Sequence, residues 1–337
     1  MSEQEIAGLS TEATDPALAE LDRLPTAKVV RAVVRGHEEV LAAVAAVEDV
    51  VARLADAAAE RMDRGGRVIY TGAGSGGRVA LLDATEWGPT FSVPEGQVIA
   101  LVAGDQFAPG SPEEAAAEDD ADAGAAAIRA LRPTPHDVVI GVSASGRTPY
   151  VLGAVLAAAA PPAESHGARG DAVVPAPPPP AEPHGAAGEG RTGGAARPLT
   201  AAITSQPGSR LAASVDIAIE VPVGPEPIAG STRLKAGTAQ KLVLNAFSTA
   251  VMVRRGRTLG NLMVGMRVAN EKLRARAALV CMSATGCSEA EARAALAATG
   301  DDLAAAVVSL GRNIGAEEAR RRLEATGGAV RAALEGP

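Results

Sequence analysis

Aromatic residues are nearly absent from these 337 residues, which hold one Trp, two Tyr and three Phe. A core without large rings must be assembled from Val, Leu, Ile and abundant Ala, and each Ala buries little apolar area. Oligomerisation would help such a chain reach adequate stability. Cysteine is equally scarce, with only Cys281 and Cys287, six positions apart. That excludes a disulfide framework and fits a reducing cytoplasm. Four histidines, two of them (His166 and His184) in a low-complexity stretch, make a histidine-based metal site a poor expectation. No apolar run approaches the roughly 20 residues that span a bilayer, so no membrane partner is expected. Residues 1–22 are acidic and lack an apolar signal region. Positive charge is not in excess either: the net charge is −8, with Lys and Arg dispersed. Such a surface repels a phosphate backbone and excludes nucleic acid as a partner. Carboxylates, hydroxyls and backbone dipoles are left to carry any chemistry.

What is present alternates between two periods. Residues 1–25 read as a tail, and 26–62 as a long helix or helical pair, with Val29, Val33, Val40, Val44, Val47, Val51 and Leu54 at intervals of three, four or seven. Short apolar runs at 67–71, 98–102, 137–142, 199–204 and 215–221 are those of strands covered on both faces. Helical patterns at 77–87, 112–131 and 147–160 separate the first four. This rhythm predicts an α/β fold, a doubly wound parallel five-stranded sheet with flanking helices. Between 161 and 197, fifteen of 37 residues are Pro or Gly, which predicts a disordered insertion inside a domain spanning 26–285. Helices are expected at 235–255 and 261–284. The remainder, 286–337, is punctuated by glycines and reads as a small helical bundle.

Two strand ends carry the candidate site. The first runs into Gly72-Ala73-Gly74-Ser75-Gly76-Gly77, which fits G-x-G-x-x-G. A dinucleotide site wants an acid about 20 residues on, and the nearest candidate, Asp105, lies too far along. The third strand runs into Ser143-Ala144-Ser145-Gly146-Arg147-Thr148. Small hydroxyls, glycine and a helix N-terminus at two neighbouring strand ends suit a single phosphate group. Gly74, Ser75, Ser143, Ser145, Gly146 and Thr148 are therefore the candidate phosphate ligands, with helix capping by the serines as the alternative. Glu86 is expected in the last turn of its helix beside Trp87 and Phe91, where dipole and desolvation disfavour ionisation and suit an acid. Glu114, Glu118 and Asp122 are expected on one helical face, the like charges preparing Glu118 as a base. An exposed carboxylate is the alternative for each.

With these residues in view, the chain resembles the N-acetylmuramic acid 6-phosphate etherases of the sugar-isomerase (SIS) superfamily. The matching blocks are Gly72–Ser75, 83–91 (DATEWGPTF), 117–120 (AEDD), 143–150 (SASGRTPY), 230–241 (GSTRLKAGTAQK) and 260–264 (GNLMV). The resemblance implies a cytoplasmic, dimeric SIS-type lyase that cleaves the D-lactyl ether of a phosphorylated amino sugar without metal or organic cofactor. It implies Glu86 as proton donor and Glu118 as the second catalytic carboxylate, with Ser231 and Lys235 as further substrate contacts. Departures from the family pattern fall at Asp15, at 35–38, at Gly76 where a Ser is usual, at Trp87-Gly88, and at Gly265 and Ala269. The rival expectations are a sugar-phosphate-binding regulator without turnover and an aldose–ketose isomerase.

Overall fold

The computed structural model describes residues 8–160 and 197–336. The expected insertion at 161–197 thus lies, but for Arg197, outside the described residues. Five parallel strands form one sheet: β1 (Val68–Gly72), β2 (Val98–Val102), β3 (Val138–Val142), β4 (Leu199–Thr204) and β5 (Ile217–Glu220). Their spatial order is β2-β1-β3-β4-β5, with β1 paired to both β2 and β3 in parallel register. The order reverses between β1 and β3, and in such sheets a crevice opens at the carboxyl ends of those two strands.

Alternation along each strand divides the core. Val68, Tyr70, Ile140 and Ile203 face one side, where they meet α3 (Glu48–Asp63), α4 (Gly74–Phe91) and α8 (Lys235–Arg254) through Leu54, Trp87 and Phe247. Ile69, Val139 and Ala202 face the other, against α6 (Ala121–Ala130) and α7 (Pro149–Ala159). With rings so scarce, three of them are concentrated at one point: Tyr70 and Trp87 lie 6.5 and 6.2 Å from Phe247. Beneath them the buried Asp83 accepts hydrogen bonds from Tyr70 Oη, Trp87 Nε1 and Ser248 Oγ, at 2.8, 2.9 and 3.0 Å. Three donors on one buried carboxylate lock α4 against α8.

Several expected boundaries move. The pattern at 26–62 is not one helix but α1 (Thr26–Gly36), α2 (Glu38–Ala45) and α3. Residues 261–270 are not helical; Leu259 and Leu262 form an isolated bridge, and α9 begins at Glu271 (Glu271–Thr285) with Asn270 as its cap. Helices α10 (Glu289–Ala298), α11 (Leu303–Arg312), α12 (Ala316–Ala325) and α13 (Val330–Glu335) complete the C-terminal bundle. Its apolar cluster already takes in Val264, Met266 and Cys281, so its packing begins upstream of residue 286. Nor do all of residues 1–25 hang free. Leu9 is buried, Ser10 N–H donates to Gln206 Oε1, and Gly230 N–H donates to the Thr11 carbonyl. Among the described residues no helix is long and apolar enough to cross a membrane.

Candidate functional site

A cavity of about 490 Å³ opens at the switch point. Helix α4 starts at Gly74, three residues earlier than the sequence pattern indicates, so its free amides face the cavity with Ser75 as its second residue. The loop after β3 enters from the other side. Ser143 Oγ lies 2.8 Å from Thr148 Oγ1 and 3.5 Å from Ser145 Oγ, and it accepts from Gly146 N–H at 3.1 Å. None of these bonds caps α7, whose cap position is Thr148 and whose first residue is Pro149. The capping alternative for Ser143 and Ser145 is therefore set aside. Gly146 itself holds the turn, at φ +60° with Ser209 packed beneath it. Ser75, Ser143, Ser145 and Thr148 all line one cavity with Gly74. Hydroxyls and helix amides converging in this way make a cradle with the chemistry that suits a phosphate.

Glu118 stands directly over that cradle. The expected helix over 112–131 breaks into α5 (Pro112–Ala117) and α6 because Asp120 caps the second piece, accepting from Ala123 N–H at 2.8 Å. Glu114, Glu118 and Asp122 consequently do not share a face, and Asp122 is exposed. The break frees Glu118 to turn towards β1: a Cβ added at Gly74, where φ is +50°, would lie 2.6 Å from Glu118 Oε1. Two further contacts fix its backbone. Tyr150 N–H donates to the Glu118 carbonyl at 3.0 Å. Helices α6 and α7 touch backbone to backbone at Gly124 and Gly153, where an added Cβ would meet the carbonyls of Tyr150 and Ala121 at 2.0 Å. Desolvation raises the Glu118 pKa, and the neighbouring Glu114 and Asp119 charges add to it against an opposing pull from Arg78. A carboxylate with raised proton affinity is the better base.

Glu86 is placed otherwise. Helix α4 runs through Pro89 to Phe91, so Glu86 sits one turn before its end rather than in the last turn. Trp87 points inward to Asp83, and Glu86 is exposed; the expected desolvation beside Trp87 and Phe91 is absent within one chain. Glu86 does not line the cavity. Twelve residues of helix separate it from Gly74, about 18 Å along the axis. Lys235 is also outside: its buried ammonium pairs with Glu39 at 2.7 Å and reaches the Pro225 carbonyl. From the same block it is Gly230 and Thr232, rather than Ser231, that line the cavity.

Sequence reasoning passed over Arg78 and Glu12, both of which line the cavity. Arg78 follows Gly74 by one helical turn and so had to lie beside the same cavity. Glu12 carried no comparable local signal; it arrives because the 9–12 segment is tied down at Gln206 and Gly230. Gly76 lines the cavity where an added Cβ would meet the Val142 carbonyl at 2.9 Å, and among the described residues the nearby buried Gln240 amide has no hydrogen-bond partner. A larger cleft, about 620 Å³, lies between Phe91–Ser92 and the C-terminal bundle. Two of its three acids are engaged in structure, Asp301 with Arg274 and Asp302 as the cap of α11, and no cluster of hydroxyls at strand ends lines it, so the chemistry points to the smaller cavity. No group of three or more His, Cys, Asp and Glu among the described residues is arranged to hold a metal ion.

A family model for the glucokinase regulatory protein N-terminal SIS domain matches residues 48–159. An N-acetylmuramic acid 6-phosphate etherase of Rubrobacter xylanophilus is 47% identical over 98% of this chain and 98% of that protein. Those of Cutibacterium acnes and Streptomyces coelicolor are 42% and 43% identical, each over 97% of this chain and 95% and 93% of theirs. Among solved structures, a phosphoheptose isomerase from Francisella tularensis superposes with a TM-score of 0.46 at 16% identity, covering 68% of this chain and 100% of that one.

Proposed function

The chain belongs to the N-acetylmuramic acid 6-phosphate etherase family, and on that premise we propose how its own residues carry out the elimination. The protein is a carbon–oxygen lyase that cleaves the D-lactyl ether of N-acetylmuramic acid 6-phosphate to N-acetylglucosamine 6-phosphate and D-lactate. The 6-phosphate rests in the cradle of Ser75, Ser143, Ser145 and Thr148. With the ring open, C2 lies beside the C1 aldehyde, which makes its proton acidic enough for a carboxylate. Glu118 takes that proton; the C–H electrons form the C2–C3 double bond, and the C3–oxygen bond breaks. The departing lactyl oxygen takes a proton from the acid. Water then adds at C3 of the unsaturated aldehyde and C2 is reprotonated, so the sum is ether plus water to alcohol plus lactate. Acid–base assistance of this kind contributes about 10² to 10⁴ in rate.

Glu86, the acid by family pattern, reaches this cavity only from a second copy. Support comes from its surroundings: Leu81 and Leu82, on the same stretch of α4, are 43% and 48% exposed. Helix α1 buries none of its residues and leaves Val30 and Val34 uncovered. These uncovered apolar surfaces suit a homodimer whose two sites each join Glu118 of one subunit to Glu86 of the other. The single observation that carries the reading is Glu118 seated against Gly74 above the hydroxyl cradle. The test is D-lactate release from the phosphorylated substrate, with loss of C2 proton exchange in Glu118→Gln. Unimpaired lactate release by that variant would remove Glu118 from the mechanism.

A further inference from the structure

The substrate carries two anionic groups, the 6-phosphate and the carboxylate of the lactyl ether, and the hydroxyl cradle accounts for the first alone. Among the described residues lining the cavity, Arg78 is the one cation. It is not spent where it stands. Its Nη2 donates to both oxygens of Glu114, at 2.6 and 2.7 Å, while Nη1 and Nε make no hydrogen bond among the described residues. The guanidinium is half exposed and its partner almost covered, at 49% and 10%. Glu114 is in turn fixed by the Gly110 N–H and, through its own N–H, by Ser111 Oγ. A buried carboxylate thus engages Nη2 and leaves the Nε and Nη1 donors unspent on a side chain that lines the cavity. Ionised N–H donors of this kind bind a carboxylate through charge-assisted hydrogen bonds.

Position agrees with chemistry. Arg78 lies one turn along α4 from Gly74, the residue against which Glu118 rests. Its charge acts on Glu118, opposing the rise in that residue's pKa. The cation therefore shares its cavity with the carboxylate that takes the C2 proton, and the lactyl ether is attached at the adjacent carbon. We propose that Arg78 binds the carboxylate of the lactyl group and makes the enzyme select ethers that carry one. This rests on the etherase reading and names the residue by which that site recognises its leaving group.

The test compares two ethers of N-acetylglucosamine 6-phosphate, the natural D-lactyl ether and a 3-O-ethyl ether that lacks the carboxylate. Both are assayed with wild type, Arg78→Met and Arg78→Lys, and binding of N-acetylglucosamine 6-phosphate is measured by calorimetry. A lost hydrogen-bonded ion pair predicts that preference for the lactyl ether, as a ratio of kcat/KM values, falls about tenfold to hundredfold in Arg78→Met. Arg78→Lys, which keeps the charge but cannot hold Glu114 and offer separate Nε and Nη1 donors at once, should fall between the two. A folding defect scales both ethers alike, so the ratio within each variant isolates recognition. An unchanged ratio in the folded Arg78→Lys and Arg78→Met proteins would overturn the proposal and leave Arg78 as a partner of Glu114 and Glu118. Weaker binding of N-acetylglucosamine 6-phosphate in step with the lost turnover would reassign Arg78 to the phosphate. A wild type that cleaves neither ether would instead sink the etherase reading itself.

Discussion

The two glutamates to which the proposed elimination assigns its base and its acid occupy opposite kinds of surroundings. Glu118 sits at a helix break, half-buried, against a glycine, with its pKa raised. Within one chain Glu86 is exposed on the outer face of α4, beside two uncovered leucines. A base must be tuned before substrate arrives, and one chain can do that alone. An acid that acts on the leaving group can be delivered by a neighbour, which ties turnover to assembly. The comparison is broken most directly by substitution at both positions. Glu118→Gln should abolish exchange of the C2 proton with deuterated water and lower turnover by about 10² to 10⁴. Glu86→Gln should stop lactate release to a similar degree yet permit slow C2 exchange, read by NMR of the sugar. Refolding the two inactive variants together in equal amounts should restore about a quarter of wild-type activity, since half of the dimers then hold one intact composite site. No recovery on mixing would mean that the two glutamates act within one chain.

Smaller effects separate the phosphate end from the carboxylate end. Ser143→Ala removes the hydroxyl that joins Gly146 N–H to Thr148. It should weaken N-acetylglucosamine 6-phosphate by about 1.5–3 kcal/mol and leave the unphosphorylated sugar unchanged. Equal weakening of both ligands by calorimetry would assign the serine to loop structure alone. Gly153→Ala acts only through Glu118. Ala favours a helix by roughly 1 kcal/mol over Gly, but its Cβ would stand 2.0 Å from the Ala121 carbonyl. Overpacking of that kind costs about 1–3 kcal/mol, so destabilisation outweighs propensity, and α6 must move away from α7 with the Glu118 segment. Urea denaturation together with lactate release should show both losses; a fully active, more stable variant would show the close approach to be dispensable.

The sheet was legible because Val- and Ile-rich runs such as 98–102 and 138–142 have no other economical reading in a chain of this pattern. The convergence of the two hydroxyl-and-glycine loops was legible for a similar reason, since both follow neighbouring strands of the sheet. The helix break at 118–120 was not. Glu, Asp and Ala all tolerate a helix, and only Asp120 acting as a cap, three residues before Ala123, decides otherwise. The direction in which Glu86 faces was equally hidden. It depends on Asp83 being drawn inward by Tyr70, Trp87 and Ser248, the last 165 residues away in sequence. Lys235 was misplaced in the same way, because its partner Glu39 lies 196 residues distant. Strand order and loop chemistry are local; the aim of a side chain on a helix is settled by what packs behind it.

The smallest effect is also the one that reads the tuning of Glu118 without any substrate. Burial and two neighbouring acids raise its folded pKa above the unfolded value, which is about 4.3 for a glutamate. The folded state then binds that proton more tightly than the unfolded chain does. Stability from this group is therefore greatest at low pH and is lost as pH rises through the raised folded pKa. At neutral pH the wild type carries the whole penalty of an ionised, partly desolvated carboxylate. Glu118→Gln keeps the volume and removes the charge, so it should melt higher than wild type at neutral pH. The difference should shrink as pH falls and vanish below the unfolded pKa. Glu86→Gln, an exposed change, should stay within about 0.5 kcal/mol of wild type. Melting curves of the three proteins across that range make the measurement. A Glu118→Gln protein less stable than wild type at neutral pH would mean that the carboxylate holds the fold together rather than standing strained and ready as a base.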